Sequence, residues 1–226
     1  MNGNNISAAQ KPLHRKIYLL VNRFMFAISR KHSRDDIEIA MLFDKNGSAV
    51  SSKINQALNL ISEFDSRRYH QIKRDVKKIW VAAAPGYCAQ WIDELQTCIL
   101  DTKYFRRADV LAPEMALTIV HEATHARLFK LKIGYTEDIR KRVERIYIKS
   151  EIAFAKRLPG GQKLVEMAKS RLQTSGNYWT NAQFQERDLD TLADISKKNW
   201  VVRILYPIVK RKVDKRNAHL RSLKKD

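Results

Sequence analysis

Cysteine is scarce in this chain: Cys88 and Cys98 are the only two in 226 residues. One pair cannot make a disulfide framework, and the apolar neighbours of both suit reduced, buried thiols of a cytoplasmic protein. Long apolar runs are scarce too. The segment 17–28 comes nearest, but Asn22 and Arg23 interrupt it, no small-residue cleavage site follows, and it is too short to cross a bilayer. It is therefore read as neither a secretory signal nor a membrane span. Acidic residues are the third shortage. Against 43 Lys and Arg stand 24 Asp and Glu, a formal net charge of +19. Such a surplus attracts polyanions, either nucleic acid or the anionic face of a membrane, so a position peripheral to a membrane is compatible with the cytoplasmic reading.

What is present allows a core, since 44% of the residues are hydrophobic. Three parts are expected: a basic amphipathic segment over 1–34, a folded domain over 35–175, and a helical extension with a basic tail over 176–226. As a helix, the first part would set Lys16, Arg23 and Arg30 in one stripe and either pack on the domain or lie on a membrane surface. Residues 35–77 carry a helical period broken near Asn46, Gly47 and Ser48, with Ile54, Leu58, Ile61 and Phe64 in one apolar stripe. The period then shortens. Residues 78–84, ended by Pro85 and Gly86, and residues 96–105 read as strands. The expected fold class is α+β, mostly helical, with a small antiparallel sheet.

The densest chemistry lies between Thr118 and Leu128. Pro113 suits the first turn of a helix, where its missing N–H has no partner, and Gly134 suits a left-handed residue just past the end. Leu117, Ile119, Val120, Ala123, Leu128 and Leu131 cover most of the circumference, which leaves a buried helix with one polar strip. On that strip His121 and His125 lie one turn apart and point the same way, so two imidazole nitrogens can reach one ion. Glu122 falls on the adjoining strip. From there it can take a proton from an activated water without being a ligand.

A third ligand is sought on the next helix. Thr136 reads as its N-cap, acids follow in the first turn, and Pro159, Gly160 and Gly161 stop it after about Arg157. In an antiparallel pair turning near Gly134, residues equidistant from the turn come side by side. His125 is nine residues before Gly134 and Glu144 ten after it, which sets Glu144 opposite the histidines. Glu151 would lie nearer Thr118, and is either the alternative ligand or a carboxylate supporting one. The sheet is expected to pack on the His121–His125 helix, with this second helix supplying the third ligand.

The segment His121-Glu122-Ala123-Thr124-His125, followed after eighteen residues by Glu144, resembles the zinc-binding core of the gluzincin metallopeptidases. The small size and the preceding strands are similar to the minimal members called minigluzincins. The resemblance spans roughly residues 78–157. It implies a zincin-like domain and a zinc peptidase with His121, His125 and Glu144 as ligands and Glu122 as general base. It also implies an edge strand along which a peptide or protein substrate adds by backbone hydrogen bonds. Two positions depart from the family pattern: Val143 stands where many gluzincins have Asn, and Ile148 where thermolysin-like members have an acid. Leu128 and Leu131 exclude the metzincin pattern, which needs Gly and His there.

The expected chemistry is hydrolysis of a peptide bond by a zinc-activated water, with Glu122 carrying the proton and Tyr135 or Tyr178 adding a hydrogen bond to the oxyanion. Beyond this site, residues 162–173 and 182–198 read as helices. The second carries Glu186, Asp188, Asp190 and Asp194, which look like a solvated face because no His is interleaved. The tail after Trp200 is apolar to Val209 and then strongly basic, a composition for an anionic lipid interface or non-specific nucleic-acid contact. Aromatic residues are not spaced among its cations as stacking platforms, so no sequence-specific reader is expected. The alternative to an enzyme is a basic protein bound to nucleic acid or a membrane surface, in which a zinc site is structural or inactive.

Overall fold

The computed structural model describes residues 13–42, 48–84, 87–174 and 180–197, with seven separate positions between 203 and 214. Five short segments pair into one sheet: β1 (Arg30–Arg34), β2 (Ile37–Met41), β3 (Lys78–Ala82), β4 (Ala89–Ile92) and β5 (Thr97–Asp101). Their order is β1-β2-β3-β5-β4. The outer pairs β1/β2 and β4/β5 are antiparallel, whereas β2/β3 and β3/β5 are parallel. The sheet is thus mixed, not antiparallel throughout. Between β2 and β3 the chain crosses over through α2 (Ser48–Phe64) and α3 (Ser66–Asp75), the kind of long helical connection that a parallel pair requires.

Two-residue alternation assigns each strand residue to a face. Ile37, Ile39, Ile79, Val81, Cys98 and Leu100 share a core with α2, α3 and α5 (Ala112–Lys130), and that core reaches Phe154 of α6 (Arg140–Ala155) and Val165 of α7 (Gln162–Thr174). Ala40, Trp80, Ala82, Ile92 and Ile99 face the other way. They meet Tyr18, Leu19, Val21 and Met25 of α1 (Leu13–Ala27) and Leu189, Leu192 and Ile195 of α8 (Asn181–Ser196). Trp80 is completely enclosed there, its indole N–H donating to Ser29 Oγ at 3.0 Å. The sheet is therefore the middle of three layers.

Several local expectations change. Residues 30–41 form a hairpin instead of helix: the Ile37/Ile39/Met41 alternation is a strand signal overshadowed by the longer stripe of α2. Asp35 turns this hairpin at φ 50°, a left-handed conformation that Asp tolerates. Arg30 consequently lies on β1, apart from Lys16 and Arg23 on α1, and the division at residue 34 falls inside the hairpin. The strand expected to run to residue 105 stops at Asp101, whose carboxylate accepts the N–H groups of Ala84 at 2.9 Å and Tyr104 at 2.8 Å. That cap starts the short helix α4 (Thr102–Phe105). Cys98 is buried, but Cys88 is exposed just before β4, and both are free thiols.

Asp188 is buried, and its carboxylate meets Arg15 at 3.1 Å; it does not belong to a solvated face. Asp190 is exposed, and the side chains of Glu186 and Asp194 lie outside the described residues. Among the described residues no helix is long and apolar enough to cross a membrane.

Candidate metal centre

α5 begins where the Glu114 carboxylate accepts the Leu111 N–H, with proline in the first turn as the sequence requires. It ends through Lys132, at φ 59°, with Ile133 N–H donating to Leu128 O at 3.0 Å and Lys132 N–H to Phe129 O at 2.9 Å. The left-handed residue is therefore Lys132 and not Gly134. α6 also starts later than expected. The Thr136 carbonyl accepts the Arg140 N–H at 2.9 Å and its hydroxyl bonds the Asp138 carboxylate, and regular helix begins at Arg140. α5 and α6 pack along one another, so side chains from both reach a shared space.

In that space the two imidazoles face each other, His121 Nε2 lying 3.3 Å from His125 Nε2. The Glu144 carboxylate of α6 approaches both, with Oε2 3.7 Å from His121 Nε2 and Oε1 3.9 Å from His125 Nε2. His121, Glu122 and His125 each offer a donor atom within 4.8 Å of the others. Glu151 reaches the opposite side of His121, with Oε1 2.6 Å from Nδ1. Glu144 thus lies on the Nε2 side and Glu151 on the Nδ1 side of one ring.

Further groups hold these in place. Arg171 of α7 pairs with Glu151 Oε2, and the Glu151 side chain is 1% exposed. The Tyr135 hydroxyl donates to Glu144, and the Arg140 guanidinium sits 5.0 Å over the Tyr135 ring. Tyr135 therefore orients a carboxylate here, a different part from the oxyanion contact expected of it. The Tyr147 ring packs 3.7 Å from the His125 ring, centroid to centroid. Tyr178 lies outside the described residues.

Burial dominates the electrostatics. It opposes a charged imidazole at His121, but the Glu151 carboxylate prevails and lifts that group to about 9. Burial, together with the charge of His121, holds His125 well below the usual histidine value. Glu122 is pushed up to about 7, again by burial. Its carboxylate accepts the Trp91 backbone N–H, while Oε2 has no hydrogen-bond partner among the described residues.

Trp91 belongs to β4, a strand absent from the sequence reading because four residues beside a turn give too little alternation to register. β4 is the edge of the sheet. Asp101 N–H donates to Cys88 O at 2.8 Å, and in an antiparallel pair such bonded positions alternate with unbonded ones. Ala89 and Trp91, opposite Leu100 and Cys98, therefore turn their backbone polar groups away from β5. One of those groups is the N–H on Glu122.

No protein-family model, curated protein or solved structure matches this chain. The reading of the site rests on the residues themselves. Two imidazoles and a carboxylate suit zinc, and a tetrahedral ion about 2.0–2.2 Å from each donor would space those donors about 3.3–3.5 Å apart. The 3.3 Å between the two Nε2 atoms meets that requirement, and the Glu144 oxygens, at 3.7 and 3.9 Å, stand a few tenths of an ångström wider.

Proposed function

We propose that this protein is a zinc-dependent metallopeptidase of the zincin kind, with His121, His125 and Glu144 as metal ligands and Glu122 as general base. The observation that carries the reading is the pair of imidazole nitrogens 3.3 Å apart, with the Glu144 carboxylate within 3.9 Å of both and the buried Glu122 carboxylate beside them. Bound there, zinc would supply Lewis-acid activation of a water and of the scissile carbonyl.

The other parts belong to the chain. Glu151 accepts the Nδ1 proton of His121, so the remaining proton on Nε2 would be displaced by a bound ion and the lone pair there given to it. Arg171 fixes that carboxylate, and Tyr135 fixes Glu144. Glu122 Oε2 takes the proton of the attacking water and delivers it to the departing amine nitrogen as the C–N bond breaks. The apolar surroundings that lift Glu122 towards neutrality make both transfers accessible to one group. An extended peptide would add to the outer edge of β4 at Ala89, with its scissile bond carried towards α5.

The test combines elemental analysis with a peptide-hydrolysis assay on the purified full chain. Zinc near one per chain and chelator-sensitive hydrolysis are expected. Glu122→Gln should keep the metal and lose hydrolysis, while Glu144→Ala should lose the metal. A wild-type protein that binds no divalent ion at this site would end the proposal.

A further inference from the structure

The helix α1 buries one side in the layer under the sheet and leaves another uncovered. On the uncovered side Leu20 is 64% exposed, Phe24 53% and, one residue past the helix end, Ile28 53%. Spaced four apart, they follow one another round the helix by about 40° per step and form a single apolar strip. Lys16 and Arg23 are exposed about 40–60° to one side of Leu20, and no ion pair joins either to an acid among the described residues. The first 34 residues contain seven Lys and Arg and no Asp or Glu.

Single exposed apolar residues are ordinary, but three large ones in register beside unpaired cations are not a solvated surface. Nucleic acid would reward the cations and leave Leu20 and Ile28 without a use. A bilayer rewards both: acyl chains receive the apolar strip while lysine and arginine extend along their stems to anionic headgroups. Charge on the whole chain, +19, adds attraction to the same surface.

We infer that α1 is a docking face for an anionic membrane surface, with Leu20, Phe24 and Ile28 entering the headgroup region and Lys16 and Arg23 holding acidic lipid. α1 lies on the layer of the sheet opposite α5, so the docked protein keeps its histidine cluster on the layer farther from the bilayer. The inference does not depend on the peptidase reading.

The experiment is co-sedimentation of the full chain with vesicles of phosphatidylcholine alone or with phosphatidylserine, over a salt series. Binding to the serine-lipid vesicles is expected to exceed binding to neutral ones by at least about tenfold and to weaken with salt. The combined change Leu20→Ser, Phe24→Ser, Ile28→Ser should lower it by at least about tenfold, with circular dichroism and thermal midpoint unchanged. Lys16→Glu with Arg23→Glu should lower it comparably and flatten the salt dependence. Undiminished binding of both variants would overturn the docking face and leave attraction to other cations. Binding to duplex DNA that both variants lose, without vesicle binding, would overturn it in favour of nucleic acid. A wild-type dimer dissolved by the serine variant, with vesicle affinity intact, would overturn it in favour of a second copy.

Discussion

Two clusters of buried charge lie on opposite layers of the sheet, and they are built differently. Under α1, Arg15 closes on two carboxylates, bidentate to Glu94 at 2.8 and 3.2 Å and single to Asp188 at 3.1 Å. Every strong donor there is spent on an acceptor. Above the sheet, His121 and Glu151 pair, the two Nε2 atoms face each other at 3.3 Å, and among the described residues Glu122 Oε2 has no hydrogen-bond partner. A cluster that only ties two elements together consumes its own valences. One that leaves a buried carboxylate oxygen unpartnered beside two imidazoles keeps coordinating capacity in hand, and the contrast is a physical reason to test for an ion between α5 and α6.

The sharpest way to break the contrast is through Glu122. Its replacement by Gln is nearly isosteric and should leave metal content unchanged while lowering kcat/KM by about 10²–10⁴-fold. Equal loss of metal and activity would instead put Glu122 among the ligands. Next in size is the choice between carboxylates. Glu144→Ala should abolish stoichiometric zinc, whereas Glu151→Ala should weaken affinity by about 10–100-fold, read by competition with a chelator. The reverse ranking would exchange their roles.

In the lower cluster, Arg15→Met should reduce unfolding stability by about 2 kcal/mol, less than the 3–5 expected for a fully enclosed pair because solvent reaches Arg15 and Glu94. Denaturant melts would measure it, with zinc content unaffected. Smaller still is a pH effect. Burial pushes Asp188 from the ordinary 3.8 up to about 6, despite Arg15 beside it. A carboxyl raised in the folded state favours folding most below 3.8, and that contribution disappears as pH rises through about 6. Asp188→Asn should therefore remove a downward slope of stability between those values; an unchanged slope would show that Asp188 ionises freely.

How much of this was legible without coordinates varies with the reach of the interaction. The His121, Glu122 and His125 arrangement follows from spacing within one helix, and the nearness of α6 follows from counting outward from one turn. Arg171 could not be read. It sits in a helix of ordinary polarity and meets Glu151 only because α7 folds back along α6. Strand direction was unreadable for a related reason: β2 and β3 are parallel because of what α2 and α3 do between them, not because of any residue within either strand. β4 and the hairpin 30–41 were lost to brevity. Asp188 looked like surface because its acidic neighbours in sequence concealed a partner in α1.

Gly161 sits at the bend between α6 and α7, where an added Cβ would come within 2.0 Å of the Ala155 carbonyl oxygen. No side chain fits without shifting backbone. A change at that position would act as a lever, re-aiming the whole of α7 and carrying Arg171 off Glu151 at the far end. The tightness of the histidine cluster is then governed partly from a bend that touches none of its side chains, and mutations that loosen it can arise far from any of them.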